Sequence, residues 1–220
     1  MALAPFNEQD YGIDSEIRFC SISLSFRKGG CIRSLLWSVP VILPKGWHFA
    51  TALSPNTPWA VAALDGPISF QTVSLEQLVD SPLLSGRYFR EVALAPEITP
   101  KHYLDMVADK QESLQINQAH VDQLSNLVRQ TGILFRSRHY NSFRMLVTLS
   151  DHISGNAFDH HQSLDNRRPA NFLTNERSLI LYGNFIAHDF AHSWNGRSLL
   201  PWRRTVSGLG ANSGNKGPPP

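Results

Sequence analysis

Alternation of apolar and polar residues dominates the first 95 positions. "IRFCSISLSF" (17–26) and "GPISFQTVSL" (66–75) alternate, while "LLWSVPVIL" (35–43) between them is a continuous apolar run. Period-two patterning marks half-buried strands, and a short apolar run bounded by turns marks a buried one, so this half predicts a β domain or part of one. From residue 99 the period lengthens. Thr99 followed by Pro100 has the form of a helix start, with the proline where its missing N–H costs nothing, and predicts a short helix to about 109. A second helix is predicted over about 113–131, with Leu114, Val121, Leu124, Leu127 and Val128 on its apolar face and Gly132 as its stop. "SFRMLVTLS" (142–150) returns to strand character. A further helix is predicted over about 175–195, with a buried stripe of Leu179, Tyr182, Ile186 and Phe190. "SGLGANSGNKGPPP" at the end is aperiodic and is expected to be disordered.

Composition narrows the classes. The 220 residues, 42% hydrophobic and 17% charged, suit a soluble globular chain of one large or two small domains. The net charge of +2 comes from scattered basic residues with no interleaved aromatics, so no nucleic acid partner is expected. Cys20 and Cys31 either pair or remain free thiols. The start lacks the basic and apolar regions of a secretory signal, and "SLLWSVPVIL" (34–43) is too short to span a bilayer and contains Pro40. No membrane association is expected, and the cytoplasm is the default location.

The segment with candidate chemistry is "IAHDFAHSWNG" (186–196). His188 and His192 at i and i+4 stack one turn apart on a helix, so both rings can reach one ion, and zinc accepts neutral imidazole. Asp189, at i+1, lies about 100° around the helix, where an acid can take a proton from a water held by the ion. The same spacing also describes two structural histidines on an amphipathic helix.

"LPKGWHFATAL", "VSLEQLVDSPLLSGRYFREVAL", "LFRSRHYNSFRMLVTLSDH", "FDHHQSLDN" and "AHDFAHSWNG" resemble, in this order, landmarks of the glycyl aminopeptidase family of gluzincin metallopeptidases. The resemblance runs from about 43 to 202. It implies an α+β chain: a partial N-terminal β domain over 1–95, the beginning of a thermolysin-like catalytic domain over 96–202, and a disordered tail over 203–220. It also implies zinc as cofactor and hydrolysis of peptide substrates from the amino end by zinc-activated water. His188 and His192 match the family's two zinc-binding histidines, and Asp189 stands at its catalytic glutamate. Asp159 and His160 stand in the cleft-lining strand that meets the substrate, with Asp159 at the acid facing its free amino group.

Two departures from the family pattern bear on activity. Both motif acids are aspartates where the family has glutamates, which draws each carboxylate back by about 1.5 Å, one carbon–carbon bond. The family's third zinc ligand is a glutamate downstream of the histidines, yet nothing after His192 is Asp, Glu, His or Cys. Zinc is therefore expected to be weakly held or absent, and hydrolysis slow or nil. Substitute ligands would have to come from Asp151, Asp159, His160, His161 or Glu176. The alternative is a non-catalytic binding or scaffold protein derived from the peptidase fold. An apolar face left uncovered around Leu179 and Phe190 would favour self-association.

Overall fold

In the computed structural model, residues 17–20, 36–38, 40–56, 66–153, 155 and 157–198 are described. Cys31, most of "IRFCSISLSF" and the tail from 203 fall outside them. Strands β1 (Ile17–Cys20), β2 (Leu36–Trp37), β3 (His48–Thr51) and β4 (Val73–Ser74) precede the short helix α1 (Leu75–Val79), capped by the Ser74 hydroxyl. Then come β5 (Leu83–Gly86), β6 (Tyr88–Leu94), β7 (Lys101–Ala108) and a 3-10 turn. Helix α2 (Gln118–Phe135), β8 (Ser142–Leu149), β9 (Ala157–Asp159), β10 (Ser163–Arg168) and α3 (Glu176–His192) complete the order.

A five-stranded sheet in the order β6-β7-β8-β10-β9 organises the larger part. Its three central strands are parallel and both edge strands antiparallel. Leu104, Met106, Phe143, Met145, Val147 and Leu164 cover one face, against which α2 packs Val121 and Val128 and α3 packs Ile186 and Phe190. The other face meets a small sheet, β1-β5-β3, through Ala50 and Leu84 against Val107 and Leu146. That face also carries buried charge. Arg144 Nη1 lies 2.9 Å from both Asp105 carboxylate oxygens and 2.9 Å from Glu91 Oε2. Burial pushes the Asp105 carboxyl up to about 7, with the Arg144 charge opposing it.

Several expected elements differ. Residues 101–108 are a strand, not part of a helix: His102, Leu104, Met106 and Ala108 face the helices while Asp105 and Val107 face the small sheet. A strand buried on both faces shows no clear alternation, which is why the pattern misled. The Thr99–Pro100 peptide is cis and lies in the β6–β7 connection. Helix α2 starts five residues later than expected, where the Asn117 side chain accepts from Ala119 N, and runs through Gly132 to Phe135. A β-carbon at Gly132 would sit 1.9 Å from Arg138 Nη2, so the glycine leaves room for that guanidinium instead of stopping the helix. The described residues of "LLWSVPVIL" form no buried strand: Leu36 and Ile42 are 72% and 78% exposed. The expected boundary at 95 falls inside the β6–β7 connection, and the five-stranded sheet begins at Tyr88.

Candidate metal centre and cleft

Asn175 starts α3 by accepting from the backbone N–H groups of Arg177 and Ser178. Ile186 and Phe190 then fasten it to the sheet, and Trp194 continues that contact by stacking on Phe135 at 4.8 Å between ring centroids. His188 and His192 emerge from the same helix with their rings 4.5 Å apart and their Nε2 atoms 2.9 Å apart. His188 is exposed and His192 half-buried. His192 Nδ1 lies 3.1 Å from the Asn195 carbonyl oxygen. A carbonyl only accepts, so Nδ1 carries the proton and Nε2 the lone pair that can bind a metal.

Asp189 is buried, and its Oδ2 accepts from Asn166 Nδ2 on β10 at 3.0 Å. Arg168 donates to the Asn166 side-chain oxygen Oδ1 in turn and lies over the Phe185 ring. The acid at the motif's second position is thus held by the sheet through a polar strand residue that the sequence reading passed over. Leu164, Asn166 and Arg168 alternate along one face of β10, and that alternation in "SLDNRR" was the available signal.

Strand β9 forms the sheet edge beside this helix. Asp159 pairs opposite Leu164 and Ala157 opposite Asn166, so the Asp159 side chain lies on the face that α3 covers. His160 is held differently: its Nδ1 is 3.1 Å from Asp80 Oδ1, and Asp80 Oδ2 accepts from His161 N at 2.8 Å. From the other side Ser193 Oγ donates to the His161 carbonyl at 2.8 Å and takes a hydrogen bond from His139 Nε2 at 3.0 Å. Burial lowers the pKa of His139, helped by the nearby His161. The turn after β9 is clamped between α1 and the end of α3 by Asp80 and Ser193, neither of which the sequence reading selected.

Among the described residues no group of three or more His, Cys, Asp or Glu side chains could hold a metal ion. The two imidazoles stand at hydrogen-bond distance from each other, and among the described residues no third His, Cys, Asp or Glu side chain joins them. Asp151 accepts from Ala170 N, the His160 ring and the His161 backbone N–H engage Asp80, and the side chain of Glu176 is outside the described set. Phe190 is fully buried against Phe143 and Trp194, so the expected uncovered face does not extend to it; Leu179 instead lines a cavity of about 590 Å³ between α2 and α3. No described helix is long and apolar enough to cross a membrane.

No family model and no curated protein matches this sequence. Among solved structures the chain is similar to an aminopeptidase N family protein from Idiomarina loihiensis, with a TM-score of 0.55 at 18% sequence identity. The match covers 78% of this chain and 30% of that one, so the chain spans under a third of that protein's length. At this identity the likeness is one of fold: a mixed α and β arrangement, consistent with part of an aminopeptidase-like fold.

Proposed function

We propose that the chain is a zinc metallopeptidase homologue of aminopeptidase type, with peptide hydrolysis weak or absent as written. The observation that carries this reading is the pairing of His188 and His192, Nε2 to Nε2 at 2.9 Å on one side of α3, in a fold similar to part of an aminopeptidase N family protein. When bound, zinc would supply a Lewis acid able to activate water. His188 and His192 would hold the ion, and Asp189 stands at the motif's acid position, its carboxylate turned to Asn166 on the sheet. Asp159 offers a carboxylate to the free amino group of a peptide laid along β9, and His160 keeps the adjoining turn in place through Asp80. Hydrolysis is limited because two imidazoles hold zinc weakly and because the Asp189 carboxylate is already engaged by Asn166.

That engagement also favours the second reading, a non-catalytic binding or scaffold protein in which Asp189 joins helix to sheet. An assay of alanyl and glycyl peptide substrates, with zinc and with a chelator control, separates the two. Slow, chelator-sensitive release of the amino-terminal residue is the outcome for the homologue with residual activity. Turnover indistinguishable from the blank by zinc-loaded chain favours the scaffold, and rapid chelator-sensitive turnover contradicts both.

A further inference from the structure

We propose that the cavity between α2 and α3 binds a small uncharged aliphatic molecule, a single saturated chain ending in a hydroxyl. Both helices lie on one face of the five-stranded sheet, α2 against β6 and α3 against β10 and β9. β6 and β10 are three places apart in the strand order, so at about 4.8 Å per place they are separated by about 14 Å. Helices in direct contact run about 8–10 Å apart. The two helices therefore straddle β7 and β8 with about 4–6 Å to spare. A third helix, about 10 Å across, does not fit such a gap, whereas one layer of carbon atoms at van der Waals contact adds about 4 Å and does.

The lining sets the chemistry. Leu104 and Val147, each 1% exposed, form the floor on β7 and β8, with Leu124 and Leu127 on the α2 wall and Leu179 and Ile186 on the α3 wall. The cavity measures about 590 Å³, within the span of about 300–1,000 Å³ usual for small-molecule sites. Among the described residues that line it there is no Lys, Arg, Asp or Glu, and the side chains able to hydrogen-bond are those of His120, Gln123 and Asn184. A carboxylate or ammonium group would be desolvated here with no counter-charge. A hydroxyl, with one donor and two acceptor positions, can bond to an imidazole or to either amide. From His120 to Leu127 the α2 wall rises by about 10 Å. An extended chain advances about 1.2 Å per bond, which sets the ligand near about nine carbons with its hydroxyl at the His120 end. Neither His188 nor His192 lines the cavity, so the proposal stands whether or not the chain hydrolyses peptides.

Methyl-resolved NMR of the full chain, titrated with straight-chain nonanol, tests the proposal. The expected result is a saturable shift of the Leu104, Leu124, Leu127, Val147 and Leu179 methyls at one molecule per chain, with Leu84 and Leu146, on the opposite side of the sheet, unmoved. Nonanoate should bind at least about tenfold more weakly, and hexanol more weakly than nonanol. Ala187→Phe places a ring in the cavity and should abolish the shifts while keeping the rest of the spectrum. Gln123→Trp, at the exposed rim, serves if that variant misfolds. Shifts that grow without saturation, or that reach Leu84 and Leu146 equally, overturn the site. Nonanoate binding as tightly as nonanol overturns the uncharged ligand, and binding unchanged in the folded cavity variants overturns the location. No shift at any soluble concentration of nonanol overturns the proposal outright.

Discussion

Asn166 on β10 and Asp189 on α3 are joined by a hydrogen bond of 3.0 Å, with both residues buried. This bond ties the candidate metal helix to the strand next to the sheet edge, and it turns the motif acid toward the sheet. Asp189→Ala would leave the Asn166 amide without its acceptor inside the protein. The expected cost is about 1–3 kcal/mol of stability, read from urea unfolding. An unchanged midpoint would mean that the bond contributes nothing to the fold.

Lengthening the acid should not rescue hydrolysis. In Asp189→Glu the carboxylate gains a methylene, but the described residues still offer no third side chain to complete a metal group with the histidines. With zinc present, release of amino-terminal alanine or glycine should stay within about twofold of the wild-type chain, well short of the effect on the order of a hundredfold that a misplaced catalytic group can produce. A large gain from this single substitution would show that the shortened acid is the main defect.

The turn after β9 depends on Ser193. Its hydroxyl donates to His161 O and accepts from His139, and it is fully buried. Ser193→Ala should cost about 1–3 kcal/mol by leaving buried partners unmatched, and should speed amide hydrogen exchange across residues 159–163 more than in β7 or β8. Equal effects throughout the sheet would argue against a local clamp.

Acid stability should depend on His102. Its Nε2 lies 2.8 Å from the Tyr140 hydroxyl, and burial, helped by the charge of Arg138, depresses its pKa to about 4 from the ordinary 6.5. Between those values the unfolded chain binds the extra proton, so this group's contribution is present above about pH 6.5 and is lost as pH falls toward 4. Asp105 acts with the opposite sign. Raised to about 7 from 3.8, it binds the extra proton in the folded chain, and its contribution is lost as pH rises through that window. His102→Gln removes only the first effect. Relative to wild type, this variant should gain stability between pH 6.5 and 4.5, measured as the shift in urea midpoint. Parallel profiles would show that His102 does not titrate as its burial implies.

Legibility in the sequence followed how each segment is buried. The helix over 176–192 and the strand over 142–149 were readable because apolar spacing and long apolar runs survive when the rest of the protein is unknown. The histidine pair was readable for the same reason, since i and i+4 share a helix side wherever the helix lies. β7 was not readable: with a helix layer on one face and buried charge on the other, "KHYLDMVA" carries no alternation. The partners of Asp189 and His160 were also hidden. Asn166 lies 23 residues from Asp189 and Asp80 lies 80 from His160, and only the strand register and the packing of α1 bring them together.

The central claim is that the imidazoles of His188 and His192 together bind one metal ion. X-ray absorption at the zinc edge, on the zinc-loaded chain and on His188→Ala, tests it most directly. The account predicts a first shell of nitrogen donors at about 2.0–2.1 Å with the outer-shell scattering of imidazole rings, lost in the variant. A shell of oxygen or sulfur donors, or an imidazole signature that survives His188→Ala, would contradict it.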